Sequence, residues 1–502
     1  MLNDLKVTSK HTFVYALGNI AAKAIGIILI PLYTDPKFIS QTDFGELAIL
    51  EATAQILTGI LAMAMTSSIQ RWYWDNALIK EQKSIFFSSL AFLVTLNIPV
   101  LLLLTLNAGW FSQLIFHTPD YSYLLKLTFA TAGIRMLNNQ IKIVIKLRSK
   151  PVLFSSVEIV KLTSTLLLTI FFVVQRGKGL DGIWEATLIG ELIALVLMLR
   201  FTIHNIILRI NTQILKEMLT YGYPLMLSAA SAVILSTTDR YMIHFLVGPQ
   251  ETAIYSLGFR FANALQLVLS ISIMSALTPL RMKKINDPDN HRFYAKTLTY
   301  VSFAFVFCLL ILSLFSLEAL KIVTKSTNYW AANGIIPILS YAFMFTLMRQ
   351  NLNIGLVIRK KTKKVALLVF TTTILNFGLN ALFVPLWDSY GASLATLLSQ
   401  MIFCVLMYWQ SQKVYPIKYE LNKLFIMVIV SAAIVVSAMA LAPLNVWMRL
   451  PIKLGLLVLF PFILYLFNFY EPREIEIIKR IMKTWYNPMK LKENFRRFLN
   501  SA

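Results

Sequence analysis

STTDRYMIHFLVGPQETAIYSLGFRFANALQ, residues 236–266, consists of two apolar arms folded about a Gly-Pro turn at 248–249. One arm carries Asp239 and Arg240, and the other carries Arg260. In lipid, an ionic side chain at the centre of a span costs about 2.5–3.5 kcal/mol on insertion scales. What the three charges mean therefore depends on the medium, and the rest of the chain supplies it.

The 502 residues are 57% hydrophobic and only 14% charged, with a mean hydropathy of +0.67. A soluble domain carries about 25% charged residues. Apolar stretches such as 85–106, 365–385 and 424–441 recur from end to end. Each is long enough to cross a hydrocarbon layer of about 30 Å. The composition predicts an all-α polytopic membrane protein. About fourteen spans are expected: 11–34, 44–69, 84–106, 121–141, 152–174, 182–203, 221–246, 252–280, 294–315, 331–358, 365–386, 389–412, 424–442 and 452–470. The first is read as a retained helix, because no small-residue cleavage site follows it.

The net charge of +23 is a topology signal, not a nucleic-acid footprint. With the N-terminus inside, internal segments hold 32 Lys and Arg and external ones hold 7. The positive-inside rule then places both termini in the cytoplasm. The runs RKKTKK (359–364) and RMKK (281–284) become anchors at anionic headgroups on that side. Cys308 and Cys404 fall within spans and read as packing residues.

The sequence matches itself at an offset of 209. GIWEATLIGELIALVLM (182–198) over GASLATLLSQMIFCVLM (391–407) gives eight identities in seventeen positions. At the same offset DFGELAILE (43–51) lies over the ETAIYSLGFR region (251–260), and Glu51 falls on Arg260. Both halves start inside and hold six spans, which predicts parallel repeats about an axis along the membrane normal. The expected lobes are 1–210 and 211–415, with spans thirteen and fourteen over 416–470 as an appendix. The tail, 471–502, begins EPREIEIIKRIMKTWYNP, whose Ile475, Ile478, Ile481, Met482 and Trp485 predict an amphipathic helix lying on the membrane surface.

Eight cations remain inside spans: Lys23, Lys126, Arg135, Lys161, Arg240, Arg260, Lys296 and Arg349. Lys126 and Lys296 are near span ends and can snorkel. Glu158 and Lys161 are one helical turn apart and are expected to pair. Asp239 and Arg260 are equally far from the Gly-Pro turn, so a bridge between them is expected too. Lys23 and Glu51 sit at comparable depth and could form a third pair. Arg135, Arg240 and Arg349 lack an obvious same-depth acid on an adjacent span, although Glu185 and Glu191 remain open as partners. Structural pairing and the lining of a wet, anion-binding cavity both stay open for these three; a guanidinium suits phosphate oxygens because its planar fork binds them bidentately.

No Walker A sequence occurs, His11, His117, His204, His244 and His291 are scattered, and no long external loop could carry catalytic residues. The expectation is a transporter without a cofactor, not an enzyme.

DRYMIHFLVGPQETAIYSLGFRFANALQ (239–266) resembles the signature of Wzx-type oligosaccharide flippases, the polysaccharide biosynthesis branch of the MOP exporter superfamily. NFGLNALFVPLWDSYGASLATLLSQ (376–400) resembles that family's Asn-x-x-Leu-Asn…Pro…Gly-Ala-x-x-Ala-Thr pattern. The resemblance covers nearly the whole chain. It implies movement of an undecaprenyl-pyrophosphate-linked oligosaccharide across a bacterial cytoplasmic (inner) membrane for O-antigen or exopolysaccharide assembly. It also implies two six-helix lobes, cycling coupled to H+ or Na+ or driven by the potential, and glycan polymerase and chain-length regulator partners besides membrane lipids. Transferred residue by residue, the Asp-Arg pair falls on Asp239 and Arg240 and the next span's arginine on Arg260. Charges on the first two spans bring in Lys23 and Glu51. The expected cavity set is Lys23, Glu51, Arg135, Asp239, Arg240, Arg260 and Arg349. A MurJ-like lipid II flippase and a MATE-type multidrug exporter are the alternatives. The latter commonly has an acid on its first helix, where this chain has Lys23.

Overall fold

The computed structural model describes Gly26 and residues 28–285, 287–359, 361–441, 444–472 and 475–476. Lys23, most of the first expected span and most of the expected tail helix lie outside the described residues. Among the described residues every regular element is helical. That follows from the solvent, since a lipid-exposed backbone must satisfy its polar groups within its own segment.

The long helices are α1 (Gln41–Leu61), α2 (Gln82–Leu106), α3 (Ser122–Leu147), α4 (Pro151–Ile170), α5 (Gly179–His204), α6 (Thr212–Leu246), α7 (Pro249–Lys283), α8 (Asn290–Leu314) and α9 (Ala332–Leu352). A 50-residue apolar helical stretch follows, and then α12 (Leu421–Met439) and α13 (Val446–Leu466). Ten described helices are long and apolar enough to cross a membrane, fewer than the fourteen spans expected. The long stretch counts there as one, yet it is two spans, α10 (362–386) and α11 (389–412). Trp387 and Asp388 leave helical geometry, Asp388 with φ of 48°. Lys364 Nζ reaches Gln410 Oε1 at 3.3 Å across 46 residues. A continuous helix would hold those residues about 70 Å apart at 1.5 Å per residue, so the chain folds back on itself. α3 and α7 are as long but more polar, and two polar positions on each, Arg135 and Asn139, and Arg260 and Asn263, line the cavity described below.

Local chemistry fixes several ends. Ser40 and Asp43 form a reciprocal capping box at the start of α1. Span two ends earlier than its hydropathy predicts. Met63 and Ala64, with φ of 44° and 51°, break it before a short helix at Met65–Trp72. Small residues allow close backbone approach, as membrane helices require. A methyl group on Gly45 would collide with the Pro249 carbonyl, which lets α1 and the start of α7 touch. Gly182 and Gly391, matched by the offset of 209, each press against the end of the preceding span, at Phe172 and Phe383 respectively.

The chain forms two compact units: Met1–Tyr294 with Ser316–Ile417, and Ala295–Phe315 with Lys418–Ala502. In the second, Lys296 does more than snorkel. Its Nζ meets Glu420 at 2.7 Å and Glu471 at 2.5 Å. Phe303 stacks on Phe460 in the same unit, with centroids 6.0 Å apart.

Candidate functional site

A cavity of about 720 Å³ opens within the first unit between α1, α3, α5, α6 and α7. Its charged lining is Glu51, Arg135, Arg240 and Arg260, so three cations face one acid. Each charge has a neutral polar companion one helical turn away that also lines the cavity. Gln55 follows Glu51, Asn139 follows Arg135, Ser236 precedes Arg240 and Asn263 follows Arg260. Separations of three or four residues stack side chains on one helix face. Each helix therefore turns a polar stripe inward and leaves its apolar surface for lipid or for packing. Tyr33, Trp184 and Phe259 add aromatic walls.

The three arginines are held differently. Arg260 Nη2 donates to both carboxylate oxygens of Glu51, at 2.8 Å each. Its guanidinium also lies 5.2 Å from the Phe44 ring centre. Arg135 Nε donates to Glu191 Oε1 at 3.0 Å. Glu191 is in turn held by Asn138 at 2.8 Å and approached by Lys161 at 3.7 Å. Lys161 meets Glu158 at 3.3 Å, and Lys142 meets the same carboxylate at 2.8 Å. Arg135 is thus the cavity end of an alternating chain of five charges running into the lobe through α3, α4 and α5.

Arg240 has no such partner. Its guanidinium lies 4.6 Å over the Phe259 ring, a cation–π contact, and its buried Nε has no hydrogen bond. Among the described residues no carboxylate reaches it within ion-pair distance. With Arg260 and Arg135 both paired, Arg240 is the cavity's uncompensated cation.

Asp239 precedes Arg240 and is turned about 100° from it around the helix, which takes it out of the cavity lining. It is 2% exposed and sits between α6, α7, α10 and α11. Tyr255 Oη donates to Oδ2 at 2.6 Å and Thr396 Oγ1 at 2.5 Å. Asn380 Nδ2 donates to Oδ1 at 2.8 Å, with Asn376 Nδ2 at 3.4 Å. The amide oxygens of Asn376 and Asn380 are buried without partners. The carboxylate and the two hydroxyls on it are oxygen groups, while both amides turn their N–H groups to the carboxylate. Oxygen donors suit a hard cation, and the carboxylate alone suits a proton. Among the described residues no cluster of three or more His, Cys, Asp or Glu exists to hold a transition metal.

The structure corrects one expected pairing. Asp239 does not bridge Arg260, because α7 turns Arg260 toward α1 and Tyr255 toward Asp239. Glu51 meets Arg260, and the expected Lys23–Glu51 pair lies outside the described residues. The expected Glu158–Lys161 pair forms, and Glu191 is the acid that meets Arg135. Of the expected cavity set, Glu51, Arg135, Arg240 and Arg260 line the cavity. Asp239 lies behind it. Arg349, on α9, is packed 4.0 Å over the Phe403 ring and does not line it. The aromatic walls and polar companions were not anticipated, although the turn-spaced polar residues were visible in the sequence.

A model of polysaccharide biosynthesis proteins matches residues 9–285, and a MatE model matches 224–382. No curated protein matches the chain by sequence. Among solved structures, a lipid II flippase MurJ in an inward closed conformation superposes with a TM-score of 0.72 at 14% identity, covering 90% of this chain and 99% of the other. An inward-facing MATE multidrug resistance transporter of the MOP superfamily gives 0.62 at 15% identity, covering 81% and 97%. A MOP superfamily transporter from Pyrococcus furiosus, described as having a binding pocket of reverse polarity, gives 0.57 at 12% identity, covering 81% and 95%. These likenesses show the fold. Matched over more than half its length, the chain belongs to the polysaccharide biosynthesis protein family.

Proposed function

We propose that the chain carries an undecaprenyl-pyrophosphate-linked oligosaccharide from the cytoplasmic to the external leaflet of a bacterial inner membrane, with both termini cytoplasmic. The observation that carries the reading is Arg240, a cavity cation with no carboxylate partner. A pyrophosphate brings about two negative charges into a medium that disfavours them. Charge-assisted hydrogen bonds from a guanidinium, typically about 1.5–3 kcal/mol each, offset part of that cost. Trp184, Tyr33 and Phe259 offer flat apolar faces to sugar rings, and Gln55, Asn139 and Asn263 offer amides to hydroxyls.

In this proposal the lobes 1–210 and 211–415 rock about the cavity and expose it to each side in turn. A potential negative inside favours outward movement of an anion by about 2.3 kcal/mol per charge per 100 mV. Asp239 is the proposed seat of the coupling H+ or Na+, because its oxygens are out of the substrate's way. A glycan polymerase and a chain-length regulator would then act on the exported unit.

A multidrug exporter of organic cations fits poorly, because three arginines face one glutamate in the cavity. Lipid II shares the pyrophosphate and is separated by phenotype. Deleting the gene for this chain should abolish surface polysaccharide and leave lipid-linked repeat units on the cytoplasmic face, with peptidoglycan growth intact. Arrest of peptidoglycan synthesis instead would replace this reading with the lipid II one.

A further inference from the structure

A second hollow lies at the other end of the N-terminal lobe, and the proposed transport does not use it. It measures about 1220 Å³ and shares no lining residue with the central cavity. Its polar lining is contributed by three connections. Lys83 stands in the first turn of α2, Arg148 and Lys150 in the turn joining α3 to α4, and Arg200 and His204 in the last turns of α5. No lining residue is acidic. The nearby carboxylate of Glu81 is turned to Arg209, 3.7 Å away. Arg148 is anchored by its hydrogen bond to Tyr73 Oη at 2.6 Å. Lys83, Lys150 and Arg200 have no ion-pair partner among the described residues.

The flank of the hollow is aliphatic and faces outward. Val196, Leu199 and Ile203 line it while remaining 67%, 50% and 61% exposed. On α5 these three project at helical spacing just before and between the cations, so the apolar and cationic walls meet along one edge. A soluble anion would use the cations and leave the aliphatic wall bare. An amphiphile would use both, with its headgroup among the cations and an acyl chain along α5. The charge asymmetry set out above places this end of the lobe at the cytoplasmic leaflet, where anionic lipids are attracted to Lys and Arg clusters.

We infer that this groove binds an anionic phospholipid of the cytoplasmic leaflet, with Lys83, Lys150 and Arg200 receiving the phosphate. The experiment is native mass spectrometry of the full chain in detergent, titrated with phosphatidylglycerol and with phosphatidylcholine carrying the same acyl chains. Phosphatidylglycerol should be retained preferentially. Removing one surface cation should weaken it about fivefold, so Lys83→Gln/Lys150→Gln/Arg200→Gln should weaken it about a hundredfold. The melting temperature should be unchanged, since none of the three side chains is buried. Should the triple variant fail to fold, Arg200→Gln alone should show the fivefold loss. Val196→Trp, which fills the aliphatic wall and keeps every charge, should weaken phosphatidylglycerol without changing competition by glycerol phosphate. Equal retention of the two lipids, unchanged binding by the glutamine variants, or full displacement by millimolar glycerol phosphate would overturn the inference. Stronger retention of a polyprenyl pyrophosphate than of phosphatidylglycerol would overturn it too, by making the groove a substrate entrance. None of these readings depends on transport, so they stand or fall apart from the proposed function.

Discussion

Glu51 and Arg260 grip each other at 2.8 Å, and they are 209 residues apart, the offset at which the sequence matches itself. Gln41 Nε2 donates to the Gln250 carbonyl at 3.2 Å across the same separation. Positions exchanged by a rotation can touch only near its axis. The crossing of α1 and α7 is therefore where a rotation relating the two halves would run. A pair seated there should tolerate reversal. Glu51→Arg and Arg260→Glu should each lower membrane abundance by placing like charges together, and the double swap should recover most of the loss. Glu51 is substantially exposed, so removing the bridge with Arg260→Ala should cost only about 1 kcal/mol. Thermal melts in detergent and immunoblots of membranes would check both; a double swap no better than the singles would remove the pair's structural role.

Arg240→Ala should leave the protein inserted and abundant, because no acid is stranded by the change, while surface polysaccharide disappears. Arg240→Lys should restore a fraction, since a point charge keeps the attraction but loses the fork. Surface glycan measured beside protein level separates a transport defect from a folding defect. Normal export by a stable Arg240→Ala protein would end that arginine's role.

Glu191 holds two cations at once. Glu191→Ala should leave Arg135, at the cavity wall, and the largely buried Lys161 as close like charges without the acid they share. Since Arg135 is partly solvated and Lys161 keeps Glu158, the cost should fall below that of breaking a fully buried pair, about 3–5 kcal/mol. Membrane abundance should fall several-fold. Glu191→Ala/Arg135→Met should recover part of it, and no recovery would place the cost elsewhere.

Asp239→Asn keeps the size of the side chain but removes its charge; its amide oxygen can still accept from Asn380, while the Tyr255 and Thr396 hydroxyls must turn from donors to acceptors. The variant should accumulate normally and lose the response of transport to an imposed H+ or Na+ gradient. Flipping of a fluorescent polyprenyl pyrophosphate glycan in proteoliposomes, with each gradient imposed separately, would identify the ion. An undiminished response to both gradients would remove Asp239 from coupling.

Reporter fusions would check the proposed orientation. One at Lys361 should read cytoplasmic and one at Asn107 external; matching signals would refute it.

Hydropathy is sufficient to read the all-helical, membrane-spanning class and the break between α10 and α11, because these are properties of single segments in a known solvent, whereas the end of the second span is set by the backbone break at Met63 and Ala64. The Glu158–Lys161 pair was legible for the same reason, since one helix supplies both residues. Partners on different helices were not. Depth along the membrane can be counted from a turn, but depth alone does not choose a partner. Azimuth depends on which helices are neighbours, and α7 presents Tyr255 to Asp239 and Arg260 to Glu51. Arg349 was misplaced similarly, because an unpaired arginine reads alike whether it meets water or the face of Phe403. The polar stripes of Glu51 with Gln55 and Arg135 with Asn139 are readable as spacing, but a neutral amide in a span carries a smaller desolvation cost than a charge and so a weaker signal.

Asp239 and Arg240 share one turn of α6 and diverge by about 100° around it, which makes that turn a crank with two handles. A cation seated behind the helix and an anion seated before it would both bear on the same few backbone bonds. Any twist that improves the grip on one must alter the geometry offered to the other. Thermodynamic linkage makes the exchange symmetrical, so each ligand would change the other's affinity by one common factor. Pro224 lies four turns earlier in the same helix, where its ring removes a backbone hydrogen bond and softens the shaft.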